Sequence, residues 1–150
     1  MSYDKQRGAM KQYSQVAVQS DAHFASPHRL IQMLMDGALQ RIAAAKGDMQ
    51  RGDIAQKGSH ISWAISIIEG LRASLNMEAG GEIAANLDNL YEYMCWKLLQ
   101  ANLKNAPEFL DEVAGLMREI KSAWDAIPES AKQGPGAAEA EIMKNAAVAR

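Results

Sequence analysis

Residues 25–46 read ASPHRLIQMLMDGALQRIAAAK, and this stretch decides the fold. Ser26 is a preferred helix N-cap residue, and Pro27 suits the first position inside a helix. Beyond them, apolar side chains recur every three or four residues along one face, at Leu30, Leu34, Ala38, Ile42 and Ala45. This spacing predicts an amphipathic helix over residues 27–50.

Three further stretches with helical spacing follow. They are separated by breaks at 51–53, at 79–81 and before Pro107, and the last stretch stops at Pro128. We therefore expect helices over 54–76 and 82–105, and a last helix from Pro107. The apolar stripe of the helix over 54–76 consists of Ile54, Ile61, Ile65, Ile68, Leu71 and Leu75.

The tripeptide Arg51-Gly52-Asp53 resembles an adhesion motif, but its simplest role is a turn followed by a helix N-cap. Asp53 can cap the following helix while Gln56, three residues on, reaches back to complete a capping box.

Short loops make consecutive helices antiparallel neighbours, so the fold class predicted is all-α, an antiparallel up-down four-helix bundle. A short extra helix is expected within residues 4–18. We assign the bundle to residues 1–128 and a flexible tail to residues 129–150, because the Ala-rich tail has little apolar area to bury.

Composition excludes several classes of function. The chain has 150 residues and a net charge of −2, which argues against nucleic-acid binding through a basic surface. Its single cysteine, Cys95, cannot form an intrachain disulfide. No apolar run approaches the roughly 20 residues of a membrane span, and the first residues lack the apolar region of a secretory signal. We expect a cytoplasmic protein that does not insert into a membrane.

The sequence offers no recognisable catalytic or metal-binding motif. Three residues before each of His23, His28 and His60 there is no Glu, so the ligand pattern of a di-iron bundle is absent. Cys95 lies between apolar residues of a predicted helix, so we interpret it as an inert thiol. We interpret Asp36 as a structural residue that pairs with a neighbouring helix. We therefore expect no enzyme, no cofactor and no metal. A small haem or metal carrier is the weaker alternative.

Several of the predicted helices carry more apolar residues than one seam needs. Tyr91 and Tyr93 lie about 200° apart on a helix, so they cannot both face one neighbour. The same surplus is found beside the main stripes, at Ile31, Met35, Leu39, Trp63 and Ile67. These residues form either a wide core or a groove for an amphipathic partner helix, and the nine methionines suit such a groove.

Five strings, in order, resemble a known family. They are YSQV at 13–16, ASPHRLIQMLMDGAL at 25–39, IIEGLRASLN at 67–76, GEIAANLDNLYEYM at 81–94 and LLQAN at 98–102. Together they resemble the flagellar secretion chaperone family, FliS.

The resemblance implies a cytoplasmic export chaperone. Such a protein binds the C-terminal helical segment of flagellin, prevents premature polymerisation and delivers the subunit to the cytoplasmic domain of the membrane protein at the flagellar type III export gate. Other flagellar regulators form a further class of partner. The alternative function is a helical-bundle regulatory module that sequesters another flagellar regulator or assembly factor.

The resemblance also assigns residues to these roles. The flagellin groove is expected to involve Leu30, Ile31, Leu34, Met35, Ile65, Ile68, Leu71, Leu87, Leu90, Tyr91 and Met94. The N-terminal segment that covers the groove and docks to the gate is expected to involve Met10, Tyr13 and Val16. One departure concerns Met35, which stands where many members have an aromatic residue before the Asp-Gly pair.

Overall fold

The computed structural model describes residues 26–127, which form four α-helices and, within that range, no strand. The helices are α1 (Pro27–Arg51), α2 (Ile54–Ala73), α3 (Met77–Lys104) and α4 (Pro107–Asp125). The all-α prediction is confirmed. The short helix expected within 4–18 and the tail 129–150 lie outside the described residues.

The boundary between α1 and α2 forms as the sequence predicts. Ser26 caps α1, because its Oγ accepts a hydrogen bond of 3.1 Å from the Arg29 N–H. Gly52 ends α1 in the left-handed conformation, with φ of 71°. Asp53 Oδ1 accepts from the Gln56 N–H at 3.1 Å. The other half of the predicted capping box is replaced, since the Asp53 N–H donates to the Asp48 carbonyl at 2.9 Å.

The boundary between α2 and α3 lies earlier than predicted. α2 ends at Ala73, and Asn76 caps α3 through a 3.0 Å bond from the Ala79 N–H to its Oδ1. A single helical turn therefore precedes the predicted break. That break persists as a kink at Gly81, whose φ of 51° and ψ of −126° are not helical. A backbone of this kind is accessible mainly to glycine.

The boundary between α3 and α4 agrees with the prediction. Asn105 ends α3 in the left-handed region, with φ of 51°, and Pro107 opens α4. α4 ends at Asp125, three residues before Pro128. Trp124, in its last turn, stacks on the ring of His28 at 5.0 Å between ring centroids and donates its Nε1–H to the His28 carbonyl at 3.0 Å.

Each helix packs against two others, so that α1 and α3 both lie between α2 and α4. Polar contacts establish the direction of α1 and α4. Gln32 near the start of α1 donates to Asp125 at the end of α4 at 2.6 Å, and Lys46 near the end of α1 pairs with Asp111 near the start of α4 at 2.8 Å. The two helices are therefore antiparallel, as in an up-down bundle.

Asp36 takes the structural role predicted for it, since its carboxylate lies 3.6 Å from Lys121 Nζ on α4. The predicted apolar stripes supply most of the core, with one error. Ile54 is 75% exposed because it occupies the first turn of α2, beyond the end of the packed region. The largest fully buried side chains are Leu34, Met35, Ile61, Ile68, Leu71, Met94, Leu98, Leu110, Met117 and Val113.

Candidate partner-binding surface

The outer face of α3 carries four large apolar side chains that are exposed to solvent. They follow helical spacing and are Tyr93 (38% exposed), Trp96 (53%), Leu99 (51%) and Leu103 (79%). We call these four residues the outer α3 stripe. Ten residue steps separate Tyr93 from Leu103, so the stripe is about 15 Å long.

The outer α3 stripe lies on the side of the helix away from the core. Trp96 follows the buried Met94 by two positions, and Leu103 follows the buried Ala101 by two positions. Two residues correspond to about 200° around an α-helix. α3 is therefore apolar on two opposite faces, one within the core and one in solvent. Contiguous apolar surface of this kind on a small protein marks an interaction site.

Contacts with α4 hold the N-terminal part of the stripe, at Tyr93 and Trp96, in place. The Tyr93 hydroxyl donates to a Glu112 carboxylate oxygen, and this bond raises the pKa of Tyr93. Lys97 Nζ lies 3.8 Å from the centroid of the Phe109 ring and 3.7 Å from the Glu112 carboxylate. The Tyr93 and Trp96 ring centroids are 6.1 Å apart. Two aromatic rings are thus positioned before any partner binds, which reduces the entropy cost of binding.

A third exposed aromatic side chain lies on α2. Trp63 is 47% exposed, and the guanidinium carbon of Arg41 on α1 lies 3.7 Å from the centroid of its ring. Because α1 and α3 lie on different sides of α2, this pair is separate from the outer α3 stripe.

A cavity of about 360 Å³ lies at the end of the bundle where α1 ends, α2 begins and α3 ends. Its polar groups bond to one another. Buried Lys57 donates from Nζ to the Asn102 carbonyl at 3.2 Å and to Asn105 Oδ1 at 3.1 Å. The cavity therefore holds helix ends together and presents no free reactive group among the residues that line it.

The buried carboxylate of Asp48, which also lines this cavity, is held by two neighbours. His60 Nδ1 lies 2.6 Å from Asp48 Oδ2, and Arg51 donates to Oδ1 at 2.7 Å. The bond to His60, followed by that to Arg51, lowers the pKa of Asp48 against the opposing effect of burial. This network is structural, since it joins α1 to α2.

Nucleophilic chemistry finds no support at the one cysteine. Cys95 is half-buried, its Sγ lies 3.9 Å from the Ile65 carbonyl, and burial raises the pKa of the thiol to about 12. The thiol is therefore protonated at neutral pH and a poor nucleophile. Among residues 26–127, no three potential ligand side chains are arranged to hold a metal ion. None of the four helices is long and apolar enough to cross a membrane.

The residues predicted from the sequence divide into three groups. In the free chain, six are core side chains with 3% or less of their area exposed, because the stripe on which they lie faces the other helices: Leu34, Met35, Ile68, Leu71, Tyr91 and Met94. Five are half-buried along the seams: Leu30, Ile31, Ile65, Leu87 and Leu90. Three lie outside the described residues: Met10, Tyr13 and Val16.

None of the four residues of the outer α3 stripe is among the predicted groove residues. The omission includes Leu99 and Leu103, although their spacing from Trp96 follows the same helical period as the core stripe. The signal was the 200° offset between Tyr91 and Tyr93, which indicates two apolar faces. Tyr91 is buried and Tyr93 is exposed, so the second face begins at Tyr93.

An all-α bundle with an exposed apolar helix face and no recognisable catalytic centre among residues 26–127 is typical of protein-binding modules. Comparison with known proteins defines it further. The sequence profile described as "Flagellar protein FliS" matches residues 9–131. This chain is 54% identical to flagellar secretion chaperone FliSB of Pseudomonas aeruginosa over 119 residues, which cover 79% of this chain and 94% of that protein.

Two further relatives are the flagellar secretion chaperones FliS of Vibrio cholerae and Salmonella typhimurium. Identity is 50% over 122 residues with the first, covering 81% of this chain and 90% of the relative, and 48% over 123 residues with the second, covering 81% and 91%. The chain belongs to the FliS family of flagellar proteins. This is a family of chaperones and not of enzymes, and membership supports a role in export with a flagellar protein as partner.

Proposed function

We propose that this chain is a cytoplasmic export chaperone that binds the C-terminal helical segment of flagellin. Binding prevents premature polymerisation of flagellin, and the complex is delivered to the cytoplasmic domain of the flagellar type III export gate. Family membership supports the export role, and the single structural observation that supports helix binding is the outer α3 stripe.

The mechanism we propose is burial of apolar helix surface. A segment that polymerises through amphipathic helices exposes an apolar face when it is alone in solution. The outer α3 stripe offers a rigid apolar surface onto which such a helix can lay that face, in the way that amphipathic helices bind apolar grooves. While the helix is bound, the face that would contact a neighbouring subunit is covered.

The residues of the earlier prediction enter this proposal in two ways. The half-buried side chains Leu87 and Leu90 on α3, with Leu30, Ile31 and Ile65, are candidates for direct contact at the edges of the bundle. The six core side chains contact a partner only if the helices separate on binding. Met10, Tyr13 and Val16 are proposed to cover the groove and dock to the gate.

The test is isothermal titration of the full chain with the C-terminal segment of a flagellin from the same source. We expect one-to-one binding with a negative heat-capacity change, since apolar area is buried. The double variant Trp96→Asp, Leu99→Asp should bind about thirtyfold more weakly, because truncating a central aromatic anchor costs about 2 kcal/mol.

The double variant Ser122→Asp, Ala123→Asp serves as the matched control, because it adds the same two charges at exposed positions on α4, away from the stripe. The affinity of this control should equal that of the wild type, and all variants should keep the wild-type helical circular dichroism, since every substituted position is exposed. Unchanged binding by the double variant would remove the outer α3 stripe from the proposal. Absence of binding by the wild type would favour the regulatory module described above.

A further inference from the structure

Arg41 differs from every other buried or half-buried cation in the part of the chain that the structure describes. Its side chain is half-buried, and its Nε is fully buried without a hydrogen-bond partner. Within residues 26–127 its one close contact to another functional group is the Trp63 ring, 3.7 Å from the guanidinium carbon. No carboxylate in that range forms an ion pair with it.

The other cations of comparable burial all have oxygen partners. These pairs are Lys46 with Asp111, Lys57 with Asn105, Arg72 with Asp88, Lys97 with Glu112, and Lys121 with Asp125. Partial burial of a charge without such a partner is unfavourable, because the lost hydration is not replaced. A buried unpaired donor of this kind therefore calls for an explanation.

The geometry at Arg41 suits a carboxylate that comes from another chain. The ring of Trp63 holds the guanidinium by a cation–π contact, which favours one position of a long, flexible side chain. A guanidinium placed against a ring still presents N–H groups along its edge, and these match the two oxygens of a carboxylate. Trp63 is 47% exposed, so apolar ring surface adjoins the cation. Arg and Trp are also the residue types most enriched among strong interface anchors.

We propose that Arg41 and Trp63 form a second anchoring site, which binds an Asp or Glu side chain of the partner segment together with an adjacent apolar side chain. The carboxylate pairs with the guanidinium, and the apolar side chain packs on the exposed part of the Trp63 ring. This inference rests on the proposed function, since the same flagellin segment is the occupant. It adds a charge requirement that the outer α3 stripe does not impose.

The experiment titrates the full chain with the flagellin C-terminal segment at low and at high salt. Arg41→Gln should weaken binding about tenfold and reduce its salt dependence, because truncation at an anchor costs more than about 1 kcal/mol. Arg41→Lys should bind with intermediate affinity, since lysine keeps the charge and loses the planar fork. Arg118→Gln removes the same charge from an exposed position on α4 and should leave affinity unchanged.

A second measurement separates a binding role from a structural one. In urea unfolding of the free chain, any stability that Arg41→Gln loses should disappear in a Trp63→Leu background, because the Trp63 ring is the one group that holds the cation among residues 26–127. Single Asp→Asn and Glu→Gln replacements in the flagellin segment should include one that weakens binding to the wild type but not to Arg41→Gln.

The outcomes distinguish the two proposals. Wild-type binding with unchanged affinity and salt dependence in Arg41→Gln overturns the second anchor alone. A loss of free-chain stability in Arg41→Gln that persists in the Trp63→Leu background also overturns it, since the cation would then have a partner within the chain other than Trp63. If the wild type does not bind the segment, the proposed function fails, and the second anchor fails with it.

Discussion

Replacing glycine by alanine should change the stability of this chain in opposite directions at Gly52 and at Gly58. Gly52 ends α1 with φ of 71°, and an added Cβ there meets no atom within 4 Å. The cost is therefore backbone strain alone, about 1–2 kcal/mol for a non-glycine residue in the left-handed region. Alanine also restricts the unfolded chain, which returns roughly 0.4–1 kcal/mol. We expect Gly52→Ala to lose about 1 kcal/mol.

Gly58 lies inside α2, where an added Cβ also meets no atom within 4 Å and the backbone is helical. Alanine is favoured over glycine in a helix interior by about 0.5–1 kcal/mol, so Gly58→Ala should be stabilised by that amount. In a protein of this size each kcal/mol moves the thermal midpoint by about 2–4 °C.

The assay is urea unfolding followed by circular dichroism at 222 nm, with a thermal scan of each variant. Gly52→Asn is the control for strain, because asparagine tolerates the left-handed region and should lose less than alanine. The slope of free energy against urea should be the same in all variants. Shifts of the same sign at Gly52 and Gly58 would refute the reasoning, since only the backbone angle distinguishes the two sites.

Two further predictions concern the core and the buried carboxylate. Leu98→Ala should lower the free energy of unfolding in urea by about 2–5 kcal/mol, because Leu98 is fully buried. Leu103→Ala should change it by less than about 0.5 kcal/mol, because Leu103 is 79% exposed. Similar losses in both variants would mean that α3 is rotated from the orientation described. Asp48→Asn should be less stable than the wild type at pH 6. The hydrogen bond with His60 lowers the pKa of Asp48 in the folded state. The ionised carboxylate therefore stabilises the fold fully above its pKa in the unfolded chain, which is about 4. This stabilisation is lost as the pH falls through the lower pKa of the folded state. The difference between the two proteins should therefore shrink below pH 4, and a difference that does not vary with pH would contradict a role for the charge.

The helix boundaries could largely be predicted because their signals are local. Ser26, Gly52 and Pro107 each act within one turn of their own position, and the structure places them as the sequence predicts. The error at the start of α3 has a local cause as well. Asn76 is a favourable helix N-cap residue, and the Gly80-Gly81 pair favours a break. The chain uses both signals, because α3 begins after Asn76 and is kinked at Gly81.

The division between core and surface could not be predicted from spacing. On α3 two apolar stripes share the same period, and only the positions of α2 and α4 decide which one is buried. Tyr91 and Tyr93 show the difficulty, since both are tyrosines on the same helix, yet Tyr91 is buried and Tyr93 is exposed. Arg41 shows the same for charge, because the absence of an ion-pair partner among residues 26–127 depends on three-dimensional neighbours and cannot be seen in the sequence.

The three tryptophans give this protein a built-in fluorescence signal, because each reports a different event. Trp96 belongs to the outer α3 stripe and Trp63 to the Arg41 site. Trp124 is only 8% exposed and stacks on the ring of His28. A partner that removes Trp96 or Trp63 from solvent shifts the fluorescence emission to shorter wavelength. Unfolding exposes Trp124 to water and shifts the emission to longer wavelength. Single-tryptophan variants would therefore show, without any added dye, which surface a partner reaches first.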